Sequence, residues 1–125
     1  MRKKILIACS ILVLLISAIS ILWRAYDLSS DFNYASAKLD IKNGNAKVIH
    51  VGVHEVSAKE KEIEMIAARY GFKNIYVEKF TPKQTENGIK NYNELIDTYL
   101  AFRNGPGWKD RYKKEIDSVL THPGL

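Results

Sequence analysis

Residues 5–23 form an uninterrupted run of 19 residues without a charged side chain, rich in Ile and Leu. A helix rises about 1.5 Å per residue, so this run spans roughly 28 Å, close to the hydrocarbon thickness of a bilayer. The run sits near the start of a 125-residue chain. The sequence after it amounts to about 100 residues, enough for one hydrophobic core and too few for two.

The flanks of the run differ in charge. Arg2, Lys3 and Lys4 precede it, whereas Arg24 is followed by Asp27 and Asp31. The positive-inside asymmetry places the N-terminus in the cytoplasm and the rest outside, with Trp23 and Tyr26 at interfacial positions. The expected organisation is a basic cytoplasmic N-terminus at residues 1–4, a transmembrane signal-anchor at 5–23, a linker at 24–30 and an extracytoplasmic domain over 31–125. Two processing alternatives compete with a retained anchor. Ala18 and Ser20 have the small-residue spacing of a signal-peptidase site, and cleavage after Ser20 would give a secreted or periplasmic protein. Residues 21–23 continue the apolar run past that site, which favours retention. Leu6-Ile7-Ala8-Cys9 has the form of a lipobox, but four residues between Lys4 and Cys9 are too few for an apolar region of about 7–15 residues.

The formal charge of +5 belongs largely to the N-terminal flank, because all 14 acidic residues lie after the run. The domain is therefore close to neutral, and a nucleic-acid partner is not expected. Cys9 is the only cysteine, so the domain relies on packing rather than an internal disulfide.

Within the domain, Phe32, Ala35 and Leu39 fall at helical spacing, with Ser30 or Asp31 as the cap and Gly44 as a left-handed stop. A strand over 39–42 turning at Asn43-Gly44 is the rival. Residues 47–54 read as a strand with Ile49, Val51 and Val53 on one face and Val48, His50, Gly52 and His54 on the other. Ser57-Ala58-Lys59-Glu60 has the form of a capping box, opening a helix with Ile63, Ile66, Ala67 and Tyr70 on one stripe and Gly71 at its end. Residues 75–80 read as a second strand. Thr81-Pro82-Lys83-Gln84 looks like a second capping box, leading into a long helix striped by Ile89, Tyr92, Ile96, Tyr99 and Leu100. Residues 104–107 end that helix. A last helix presents Trp108, Tyr112, Ile116, Val119 and Leu120, and Pro123-Gly124 closes the sequence. The expected fold is α/β, with α+β as the alternative. Its order after the membrane helix is α-β-α-β-α-α, and strand–helix–strand connectivity implies a minimal parallel sheet with a right-handed crossover.

Four local signatures are shared with a set of small bacterial exported or membrane-anchored α/β proteins of no known activity. They are Asp40-Ile41-Lys42-Asn43-Gly44, Tyr70-Gly71-Phe72, Asn91-Tyr92-Asn93 and Arg103-Asn104-Gly105-Pro106-Gly107-Trp108. The chain resembles that set over most of residues 35–117, though Pro106 stands where a basic residue is usual between the glycines. The resemblance implies a domain and no reaction.

No catalytic motif stands out. His50 and His54 share a strand face but lie about 13 Å apart at about 3.3 Å per residue, too far to hold one ion. The turn after the first strand has Glu55 and no glycine, so it lacks the features of a phosphate loop. No catalytic residue, metal ligand or cofactor is assigned. The aromatic residues Tyr92, Tyr99, Phe102, Trp108 and Tyr112 read first as the core of a helical hairpin. The sharper reading makes Trp108 and Tyr112, flanked by Arg103 and Arg111, a partner-binding surface. The functional expectation is a membrane-anchored, non-catalytic module of the cell envelope that binds another protein or an envelope component. A small exported enzyme and a secreted binding or inhibitory protein are the alternatives.

Overall fold

A computed structural model describes residues 1–121; the expected Pro123-Gly124 terminus lies outside them. The chain runs α1 (Arg2–Ala25), α2 (Tyr34–Lys42), β1 (Lys47–Val51), α3 (Glu60–Tyr70), β2 (Lys73–Val77), α4 (Glu86–Asn104) and α5 (Trp108–Thr121). The fold is α/β, and β1 and β2 form a two-stranded parallel sheet in the register Lys47↔Lys73 to Val51↔Val77.

α1 is long and apolar enough to cross a membrane, and none of its residues is buried by the domain. Its few hydroxyls are satisfied internally: Ser10, Ser17 and Ser20 each donate to the carbonyl four residues back at 2.9 Å. That is how a polar side chain is carried in hydrocarbon.

Residues 34–42 are helix rather than strand, but the cap is Asn33 and not Ser30 or Asp31. The Asn33 Oδ1 accepts from the Ser36 amide at 2.9 Å, and the Ser36 hydroxyl accepts from the Asn33 amide. The buried Asn33 also donates through Nδ2 to the carbonyls of Ser30 and Leu28, folding the linker beneath its own helix. At the other end, the amides of Gly44 and Asn45 donate to Ile41 and Asp40, with Gly44 at φ +68°. This paired closure is the reason for the glycine.

Both strands are shorter than expected. β1 stops at Val51 because Gly52, at φ +129°, turns the chain after donating the last ladder bond to Val77. Val51 and Val53, expected to share a strand face with Ile49, are exposed while Ile49 is buried. β2 starts two residues early, directly from the left-handed Gly71, and ends at Val77, leaving Phe80 exposed.

The two capping boxes also differ from expectation. The Ser57 hydroxyl accepts from the Lys59 amide, and α3 begins only at Glu60, whose carboxylate turns to His54 instead of back to Ser57. Thr81 accepts from the Gln84 amide within an isolated turn. The cap of α4 is Thr85, accepting from Gly88 at 3.1 Å. In both places a hydroxyl a few residues ahead of an amide makes a tight turn, and the helix waits for the apolar stripe to begin.

α4 is the central element. Its Tyr92, Ile96 and Leu100 are wholly buried, and it packs on α2 and β1. α3 packs on β2 and α5. The helical hairpin expected of α4 and α5 does not form, because each has another partner and they share no extended contact. Phe102, placed in that hairpin core by its sequence neighbours, is exposed. It lies off the stripe that Tyr92, Ile96 and Leu100 define.

Candidate functional site

Because α4 and α5 diverge, a groove of about 630 Å³ opens between them over one face of the sheet. The alternation of the strands selects its floor. Val48 and His50 of β1 share a face with Asn74 of β2 and with Phe72 just before it, and all four line the groove. Leu100 forms part of the α4 wall, and Trp108 and Tyr112 form the α5 wall. The volume falls in the usual range of ligand pockets, about 300–1,000 Å³.

The aromatic wall is built from four rings. Trp108 is 7% exposed. Its ring lies 6.1–6.3 Å from Tyr70, Phe72 and Tyr112. Tyr112 meets Phe72 edge-on at 5.2 Å and Tyr70 at 5.5 Å. Trp108 is thus a core residue that also presents an edge to the groove. It shares the buried cluster with Leu100 as the stripe implies, while its ring contacts outside α5 are with α3 and the start of β2.

Several polar side chains of the groove are engaged with other groups of the protein. Asn93 lies against the outer edge of β1. Its Oδ1 accepts from the Ile49 amide at 3.0 Å and its Nδ2 donates to the Ile49 carbonyl at 2.9 Å. The side-chain amide thereby stands in for a neighbouring strand and closes that edge. Asn74 accepts from the His50 ring at 2.8 Å and donates to Glu64 at 3.3 Å. Burial pushes the Tyr112 phenol up in pKa, against a smaller opposing effect of its hydrogen bond to Asn74. No serine, threonine or cysteine lines this groove among the described residues. The rim is of mixed sign, with Lys90 and Glu94 on α4 and an exposed 2.6 Å ion pair between Asp97 and Lys109.

His50 and His54 flank Tyr76 as stacked rings, at 5.1 and 3.5 Å between centroids. His54 also pairs with Glu60 at 3.1 Å. No group of three metal-ligating side chains occurs among the described residues.

Of the four residues singled out in the sequence, Trp108 and Tyr112 reach the groove and the two arginines do not. Arg111 donates to the carbonyls of Pro106 and Asn104 at 2.8 Å, fastening the turn that precedes its helix. Arg103 donates to the Arg69 carbonyl and to Asn104, and packs over Gly71, where a Cβ would come within 2.7 Å of its Nε. Both are braces for the end of the domain where the strands begin. The contributions of Val48, Phe72 and Asn93 were missed in the sequence. Phe72 comes directly after a helix-stopping glycine, and Asn93 stands beside the buried stripe of α4, but neither position announces a groove without the sheet register.

No protein-family model matches the chain, and no curated protein or solved structure is significantly similar to it.

Proposed function

We propose that this protein is a single-pass, membrane-anchored binding module of the cell envelope, with its N-terminus in the cytoplasm and its domain outside, that holds an apolar segment of a protein partner in the groove between α4 and α5. One observation carries the reading: an open groove lined by Val48, Phe72, Trp108 and Tyr112, in which Asn93, His50, Asn74, Asp97 and Lys109 are already paired with protein groups. Such a groove offers apolar contact, the main source of affinity in protein recognition. The resemblance to exported α/β proteins agrees with an envelope location.

A retained anchor is supported by the junction after α1. Asn87 donates to the Ala25 carbonyl at 2.8 Å, and Thr85 donates to Asp27 at 2.8 Å. The chain just beyond the apolar run is thus part of the domain, and cleavage after Ser20 would leave Ile21, Leu22 and Trp23 as an exposed apolar stub. The basic flank before α1 supports the orientation.

The test is photo-crosslinking in intact cells from the rim positions Lys90 and Lys109, with exposed Lys38 on α2 as control. Expected is one partner protein crosslinked from both rim positions and not from Lys38, lost when the half-buried floor residue Val48 is replaced by Lys in a variant whose retained helix content is checked. Equal labelling from all three positions, or none, overturns the reading.

A further inference from the structure

We infer that the end of the domain where the strands terminate lies down on the bilayer, with Val53, Val56 and Phe80 entering the interfacial layer beside the anchor. The inference rests on the anchored reading above and adds a second, peripheral membrane contact made by the domain itself.

Between Ala25, where α1 stops, and the first residues of the domain, the linker is fastened to one place. The Asp31 amide and the Ser30 hydroxyl both donate to the Lys83 carbonyl, at 2.6 and 3.1 Å. Asn87 holds the Ala25 carbonyl and Thr85 holds Asp27. The loop over residues 78–85 and the first turn of α4 are therefore within hydrogen-bonding distance of the chain that leaves the apolar helix. If the apolar run ends at the interface, this loop is at headgroup level.

Parallel topology then brings a second loop to the same level. β1 and β2 point the same way, so the segment after Val51 and the segment after Val77 leave the sheet at one end. That end is the anchored one, because the loop after β2 carries the linker's hydrogen bonds. α5 returns to it as well, since Lys59 donates to the Val119 carbonyl. These loops display apolar side chains to solvent: Val53 is 90% exposed, Val56 79% and Phe80, partly covered, 45%. Held beside a spanning helix, their most accessible apolar surrounding is the bilayer. A shallow recess of about 260 Å³, lined by Tyr26, Leu28 and Tyr34 next to the end of α1, continues the same amphipathic belt.

Charge sets the kind of attachment. Lys59, Lys79 and Lys83 are largely offset in these loops by Glu55 and Glu78, and Lys59 is turned to the Val119 carbonyl. The contact is therefore apolar rather than electrostatic, and depends little on anionic lipid or on salt.

The test uses the full chain with Cys9→Ser, reconstituted into phosphatidylcholine vesicles. Single cysteines at Val53, Val56 and Phe80 carry an environment-sensitive fluorophore and are quenched by nitroxide-labelled lipid. Lys73→Cys, exposed where β2 begins, reports the far end, and Val13→Cys reports insertion of α1. Expected is quenching at the three loop positions about threefold or more above that at Lys73, unchanged when roughly a third of the lipid is phosphatidylglycerol or when salt is raised to about 0.5 M. Loop quenching equal to that at Lys73, with Val13 deeply quenched, overturns this inference and leaves the anchor standing. An unquenched Val13 overturns both. Loop quenching seen only with anionic lipid also overturns the apolar attachment proposed here.

Discussion

Replacing Gly88 by alanine sets two effects of opposite sign against each other. Gly88 lies inside α4, where alanine is favoured by about 1 kcal/mol on helix propensity. Considered as an isolated helix, the variant would be more stable. The structure reverses the sign. A Cβ built on Gly88 comes within 2.3 Å of the Phe32 carbonyl oxygen, 2.7 Å of the Ser30 hydroxyl and 2.9 Å of the Thr85 hydroxyl. The nearest of these is backbone, so relief requires moving the linker by about 1 Å rather than turning a side chain. That shift strains the bonds from Ser30 and Asp31 to Lys83 and disturbs the Thr85 cap. Overpacking costs about 1–3 kcal/mol and a lost cap about 1 kcal/mol. The expected net result is destabilisation by about 1–3 kcal/mol. Urea unfolding in mild detergent, monitored by near-ultraviolet circular dichroism, measures it. A neutral or stabilised Gly88→Ala protein would show that the linker does not cross α4 at this point, and would remove the ground for placing the strand ends at the membrane.

Thr85→Ala should cost about 1–2 kcal/mol in the same assay, because it loses both the Gly88 cap and the bond to Asp27, whereas Thr81→Ala, which breaks only an isolated turn, should cost less. Trp108→Ala removes a 7% exposed indole from a four-ring cluster and should destabilise by about 3–5 kcal/mol; a folded variant of unchanged stability would reduce Trp108 to a surface residue. Asn93→Leu leaves the Ile49 amide and carbonyl without partners and should cost about 1–3 kcal/mol, with faster hydrogen exchange at Ile49 as the local readout. Tyr92 donates to Asp40 at 2.7 Å, and burial first, then that bond, hold its phenol well above its ordinary pKa of 10.0. The folded state keeps this proton where the unfolded chain releases it, so stability should fall as pH rises above about 10. Tyr92→Phe should flatten that slope, and an unchanged slope would mean that other groups cause it.

The helix periods carried most of the architecture. The stripes of α3 and α4 repeat at helical spacing over several turns, and the stops at Gly44 and Gly71 need a left-handed residue, so these elements were legible from local chemistry alone. The features that were not legible depended on contacts distant in sequence. β1 reads as eight residues of alternation, yet it ends where β2 can no longer pair with it, and Gly52 was hidden in that pattern as an ordinary outward residue. The hydroxyls of Ser57 and Thr81 have the spacing of helix caps, but a tight turn has much the same spacing. Thr85 is distinguished only by the residues that α4 buries after it. Arg103 and Arg111 looked like the rim of an aromatic surface because they neighbour Trp108 in sequence. In space they fasten the turn between α4 and α5, and the rings packed on Trp108 and Tyr112 come from Tyr70 and Phe72 instead.

A two-stranded sheet is too narrow to bury two helices on each face, and this accounts for the groove. α4 occupies the side of the sheet at β1, where Asn93 replaces the missing strand and Tyr92, Ile96 and Leu100 fill the space against α2 and the core. α5 is held elsewhere, by α3 and by the rings of Tyr70 and Phe72. The face carrying Val48 and His50 is left between them with no third helix to cover it. The same helix that walls this groove receives the linker at Gly88, so the groove is tied to the apolar helix α1 through one element of 19 residues, roughly 28 Å long.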